Sequence, residues 1–175
     1  MIPARFHVRF PCSRKYAARA RRSFTTYLAG AGIDSRAGDE LESAVGEAIA
    51  NAIEHGYPKA RWFQIRCQIR PDAVVVEVED DGVGFQADRA RPAAGHARGF
   101  GFGIMRSLVD ELHILKNGRL IRFTKLLPAA AQDDVAASLA LMRTTTNDAE
   151  KIAAASHSSA KSSPGQARPR PSPIQ

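Results

Sequence analysis

Between Trp62 and Asp81 the chain reads WFQIRCQIR, then Pro71–Asp72, then AVVVEVEDD. Two runs of strand length, rich in β-branched residues and joined by a tight turn, should lie side by side as antiparallel strands. Other segments suit the same sheet. RFHVRF alternates apolar and polar residues from Arg5 to Phe10, the period of a half-buried strand. LHILK and LIRFTKLL flank Asn117–Gly118, and an N-G pair favours a hairpin.

Three helices are expected between these strands. The first runs from a cap at Ser13 to about Ala29, the second from about Asp39 to His55, and the third from about Phe102 to Glu111. Gly30 and Gly32 stop the first, and Gly56 and Pro58 stop the second. The strands cluster instead of alternating regularly with helices. The predicted class is therefore α+β, a two-layer sandwich of a mixed or antiparallel sheet with helices on one face. Residues 1–128 are expected to form the domain. Residues 129–175 form an Ala-rich helix to about 143 and then a Ser/Pro-rich tail whose composition favours disorder.

Composition narrows the setting. The net charge is +7, but it is concentrated early: residues 1–36 hold Arg5, Arg9, Arg14, Lys15, Arg19, Arg21, Arg22 and Arg36 against Asp34. Such a surface attracts nucleic acid, anionic membrane or an acidic protein, and charge alone does not choose among them. The segment lacks nucleic-acid motifs or a stacking platform, and no apolar run has membrane-spanning length. A cytoplasmic protein with no direct nucleic-acid or membrane contact is expected. Cys12 and Cys67 suggest neither a disulfide scaffold nor a zinc site.

The second helix carries the chemistry. In EAIANAIEHGY, Glu47, Asn51 and His55 recur every four residues and form a polar ridge. Leu41, Ala44, Val45, Ala48, Ile49 and Ala52 fill the adjoining arc and should face the core, leaving the ridge at the edge of a cavity. Two glycine-rich segments follow. In DDGVGF, Asp80 ends a strand and precedes Gly82 and Gly84; in GFGFGIM, Gly99, Gly101 and Gly103 lead into a helix whose N-terminus can hold an anion. Between them lies a Gly/Arg/Ala-rich stretch too long for an ordinary connector. Each signal alone has a plain structural reading, as a strand-ending turn, a loop or a satisfied core amide.

Taken in order, EAIANAIEHG, DDGVGF and GFGFGIM resemble the N-box and glycine boxes of the Bergerat-type (GHKL) ATP-binding superfamily. They are most similar to its bacterial anti-sigma-factor serine/threonine kinases, over about residues 5–127. The resemblance implies the Bergerat fold, ATP and Mg²⁺ as cofactors, Asn51 as metal ligand and Glu47 as general base. Asp80 would accept the adenine amino proton. His55, Gly82, Gly84, Gly99, Gly101, Phe102 and Gly103 would complete the nucleotide site. Residues 85–98 would form a lid, with Arg98, Arg89 or Arg91 reaching the γ-phosphate. It further implies a homodimer that binds a sigma factor and phosphorylates an anti-anti-sigma (STAS-type) antagonist on serine. The sequence departs from the pattern at Arg119, where the family often has Thr, and at Ala97, where a lid arginine would align. Those departures define the alternative, a nucleotide-binding regulatory module without kinase activity.

Overall fold

The computed structural model describes residues 5–56, 59–84, 100–129 and 131–141. The elements are β1 (Arg5–Pro11), α1 (Arg14–Gly30), α2 (Ser35–Gly56), β2 (Trp62–Ile69), β3 (Ala73–Asp80), α3 (Phe100–Leu108), β4 (Glu111–Leu115) and β5 (Leu120–Leu126), followed by a helix, α4, over 131–141. The strands form one sheet in the order β1-β2-β3-β5-β4, with every neighbouring pair antiparallel. The α+β expectation holds. The sheet is wholly antiparallel, and its central strand is β3.

Strand alternation separates the two faces. Phe63, Ile65 and Cys67 of β2 stand opposite Asp80, Val78 and Val76 of β3, while Phe123 and Ile121 of β5 pair with Val76 and Val78. All of these are buried. The apolar ones join Ala20, Phe24, Tyr27 and Leu28 of α1, the Leu41-to-Ile53 face of α2, and Met105 of α3 in one core. Burying each large side chain contributes about 1.5–3 kcal/mol, so this layer dominates the domain's stability. The other face of the sheet is polar and tied by ion pairs: Arg66 to Glu77 and Glu79 at 2.8 Å each, and Arg122 to Glu77 at 2.5 Å.

Three boundaries differ from the sequence expectation. Helix α2 starts at Ser35 because the Asp34 carboxylate accepts a hydrogen bond from the Ala37 amide at 2.9 Å, the geometry of a helix N-cap. Helix α3 stops at Leu108 instead of Glu111. Strand pairing wins there: the Asp110 amide donates to the Thr124 carbonyl at 2.9 Å, and Glu111 pairs with Thr124. The β4–β5 connection is a four-residue turn closed by the Leu115–Leu120 pair, longer than the tight N-G hairpin the sequence suggested. Lys116, Asn117 and Gly118 have φ of 52°, 56° and 85°.

Residues 131–141 of the Ala-rich segment are helical. Val135 and Leu139 are 0% and 5% exposed and belong to the same core, and Gln132 donates to the Leu127 carbonyl at 3.0 Å. Among the described residues no helix is long and apolar enough to cross a membrane. The 85–98 segment, Gly99 and residues 142–175 lie outside the described residues.

Helix α4 should therefore stabilise the domain. Leu139→Ala is expected to cost about 2–3 kcal/mol in urea denaturation, whereas a helix that merely trails the domain would show a change near zero.

Candidate functional site

The ridge of α2 meets α3. Glu47 and Asn51 are half-buried, and a Cβ placed on Gly101 would lie 2.8 Å from Glu47 Oε2 and 3.9 Å from both Asn51 side-chain amide atoms. A glycine in the first turn of α3 thus lets the helix start directly over the carboxylate and the amide. Asn51 Nδ2 is buried and has no hydrogen-bond partner among the described residues. A buried donor left unpaired costs about 1–3 kcal/mol, so this amide is available to a group that the described residues do not supply. His55, at the end of the ridge, is exposed.

The end of β3 supplies the second half. Asp80 is 6% exposed, and its Oδ1 accepts the Gly82 amide at 2.8 Å. Gly82 is packed against the end of α2: a Cβ there would sit 2.7 Å from Gly56 Cα and 2.8 Å from Asp80 Oδ1. Gly84 has φ +75°, and a Cβ on it would run into the Asn117 carbonyl. Both positions require glycine, one for space and one for backbone conformation. Asp81 points elsewhere. It accepts the Arg61 and Trp62 amides at 2.7 and 3.0 Å and pairs with the Arg61 guanidinium, so its role is to pin the start of β2.

The electrostatics distinguish the two neighbours. Burial pushes the Asp80 carboxyl above its ordinary value of 3.8, Asp81 and Glu79 add to the rise, and the Gly82 N–H and Arg119 oppose it. Burial also raises Asp81, but hydrogen bonds from Trp62 and Arg61 outweigh it and hold that group low. Asp80 is thus a desolvated acceptor whose second oxygen is not the one bonded to Gly82. Such a group suits recognition of an N–H on a ligand.

The structure therefore brings Glu47, Asn51 and Gly101 together on one side, and Asp80, Gly82 and Gly84 on the other, joined through Gly56. Phe102 is half-buried against the core, while Gly103 has open space around its Cα. Arg98, Gly99, Ala97, Arg89 and Arg91 lie outside the described residues. Two neighbours join these: Cys12 had no role in the sequence reading, and Arg119 entered it as the residue standing where the family often has threonine. Cys12 Sγ lies near Gly56 and bonds the Ala52 carbonyl at 3.6 Å, with its thiol pushed up by burial and by Asp80 and Asp81. The Lys116–Arg119 turn covers Gly84, with Arg119 Cγ 3.0 Å from the position of a Gly84 Cβ. The N-G pair signalled a turn there, but no local pattern says what a turn touches.

Comparison with known proteins identifies the family and the fold. Residues 10–125 match the family described as Histidine kinase-like ATPase domain. An anti-sigma F factor of Clostridium novyi is 33% identical over 101 residues, 50% of this chain and 70% of the relative. One from Bacillus cytotoxicus is 35% identical over 101 residues, 50% of this chain and 68% of the relative. Among solved structures, the RsbU and RsbW domains of Rv1364c from Mycobacterium tuberculosis share the fold, with a TM-score of 0.53 at 22% identity. That match covers 71% of this chain and 33% of the other.

Two outcomes follow from the packing and the buried charge. Gly82→Ala should destabilise by about 1–3 kcal/mol, since the atom it meets is backbone, whereas Gly103→Ala should cost nothing in the same thermal melts. Asp80→Asn should raise the melting temperature of the ligand-free protein at pH 7. The cost of the buried charge is absent below the ordinary pKa of 3.8 and grows as pH rises through the raised one, so the gain should vanish in acid.

Proposed function

The chain belongs to the histidine kinase-like ATPase domain family, and from that premise we propose that it is an ATP-binding anti-sigma factor with serine/threonine kinase activity. It would sequester a sigma factor and phosphorylate an anti-anti-sigma antagonist. The observation that carries the nucleotide reading is the Asn51 amide beside Glu47, under the first turn of α3, whose buried Nδ2 has no partner among the described residues. The relatives named anti-sigma F factor support the partner class.

The residues present fit Mg·ATP. Asn51 offers an amide oxygen, a donor type that hard cations accept, and Asp80 offers a desolvated acceptor that matches an adenine amino group and not a guanine carbonyl. Bound Mg·ATP would supply the transferable phosphoryl group. Glu47 takes the proton of the attacking serine hydroxyl at its carboxylate. Gly101 keeps that carboxylate uncovered by a side chain, and the backbone around Gly82 and Gly84 closes on the base. Transfer of this kind depends mainly on positioning and charge stabilisation. The basic surface of α1, where Arg19 and Arg22 lie close to Ser23 and Thr26, suits an acidic partner and steers its approach. We place the protein in the cytoplasm as a homodimer, the arrangement the resemblance implies.

A second reading keeps the nucleotide site and drops the phosphotransfer. Arg119 in place of the family's threonine favours it, because the adenine end then differs from that of the kinases. Its test is phosphoserine on a serine-containing antagonist after incubation with ATP.

Calorimetric titration should show Mg·ATP binding to the wild type, no comparable GTP binding, and loss of binding in Asn51→Ala. Glu47→Gln should retain ATP affinity while phosphotransfer falls on the order of 10²- to 10⁴-fold. An unchanged transfer rate removes Glu47 from the chemistry, and an Asn51→Ala protein that binds normally removes the metal assignment.

A further inference from the structure

Strand β3 carries charge on both faces at the same end. Asp80 points toward the helices, and Glu79, one residue earlier, points to the open face, where it is 9% exposed. Gln64 Nε2 and Arg66 Nη2 each donate to Glu79 Oε2 at 2.8 Å. Its other oxygen, Oε1, pairs with Lys116 Nζ. Burial pushes the Glu79 carboxyl up, but the hydrogen bonds from Lys116 and Gln64 and the charges of Lys116 and Arg66 outweigh it and hold the group ionised.

Lys116 opens the turn between β4 and β5. Together with Asn117 it makes up the non-glycine positions of positive φ among the described residues, a conformation side chains resist. Such conformations persist where surrounding contacts over-determine them. Within the turn, the Arg119 amide and Nε donate to the Lys116 carbonyl at 3.3 and 3.2 Å. Between turn and sheet, the Lys116–Glu79 pair is the side-chain tie, and the Asp80 amide donates to the Arg119 carbonyl at 3.0 Å. The held turn puts the Asn117 carbonyl and the Arg119 stem against Gly84. One wall of the base pocket is thus anchored from the far side of the sheet.

We propose that Lys116 and Glu79 are positioning residues for nucleotide binding: their ion pair on the open face holds the Lys116–Arg119 turn against Gly84 and so fixes the pocket wall beside Asp80. Neither side chain touches the nucleotide. The proposal rests on the nucleotide reading given above. Its physical content is that a strained turn is held in one position, so that the base meets a fixed surface and the wall is not ordered at the moment of binding.

The test compares wild type, Lys116→Met, Lys116→Arg, Glu79→Gln and the Lys116→Met/Glu79→Gln double variant by calorimetric titration with Mg·ATP, alongside amide hydrogen exchange and thermal melts of the ligand-free proteins. Lys116→Met, which keeps the stem and removes the charge, is expected to weaken ATP binding about fivefold, the upper range for a partly exposed pair. The double variant should be no weaker than the weaker single variant, and Lys116→Arg should restore affinity. Exchange of the Asp80 amide should accelerate in Lys116→Met while the melting temperature stays near that of wild type. A purely structural pair would instead lower the melting temperature and leave affinity alone. Wild-type affinity in Lys116→Met, or additive losses in the double variant, overturns the proposal alone. Wild type that binds no Mg·ATP overturns the nucleotide reading and the proposal together, and that control tells the two failures apart.

Discussion

The contact between α2 and the end of β3 sets the positions of everything else. Ala44, Ala48 and Ala52 give α2 a flank of small side chains, all buried, and small residues let a helix approach closely. At its last residue, Gly56, the helix comes so near Gly82 that no side chain fits between them. This closeness brings two chemistries within reach of a single ligand. The carboxylate and amide of the ridge arise from helical periodicity, and the buried Asp80 arises from strand alternation. Neither element alone would bring them together.

Much of this was legible because it is written locally. A 3.6-residue period placed Glu47 and Asn51 on one side of a helix, and an apolar run ending in Asp-Asp-Gly placed Asp80 at the end of a strand. The hairpin of β2 and β3 follows from two apolar runs and a turn. The misplaced boundaries show where longer-range contacts decide. Asp34 caps α2 a turn earlier than the apolar stripe suggested, and its composition did hold that signal. Helix α3 gives way at Leu108 because β5 recruits Glu111 into the sheet, a choice made by a partner residue far along the chain. The surroundings of Cys12 and Arg119 were illegible for the same reason. Both sit at crossings between distant segments, and no window of sequence contains the crossing.

The polar face of the sheet is equally a product of alternation. Glu77 and Glu79 are two of the odd-numbered residues of the strand whose Val74, Val76 and Val78 build the core. Arg66 and Gln64 of β2, and Arg122 of β5, lie opposite or diagonal to them in the register. Cross-strand neighbours of opposite charge support pairing, so the same register that seals the core assembles the ion-pair ladder. A one-residue slip would bury the carboxylates and expose the valines, which penalises alternative pairings strongly.

Helix α4 gives the domain a dependence on time as well as on contacts. Its Val135 and Leu139 belong to the same core as Ile33, Ala37 and Leu127, yet they are synthesised after every strand among the described residues. At about 5–20 residues per second, the stretch from Leu126 to Leu141 adds roughly one to three seconds during which a nearly complete domain shows an apolar face to its surroundings. On a growing chain that face is available to a chaperone or to a neighbouring copy, and it closes only when the last helix arrives.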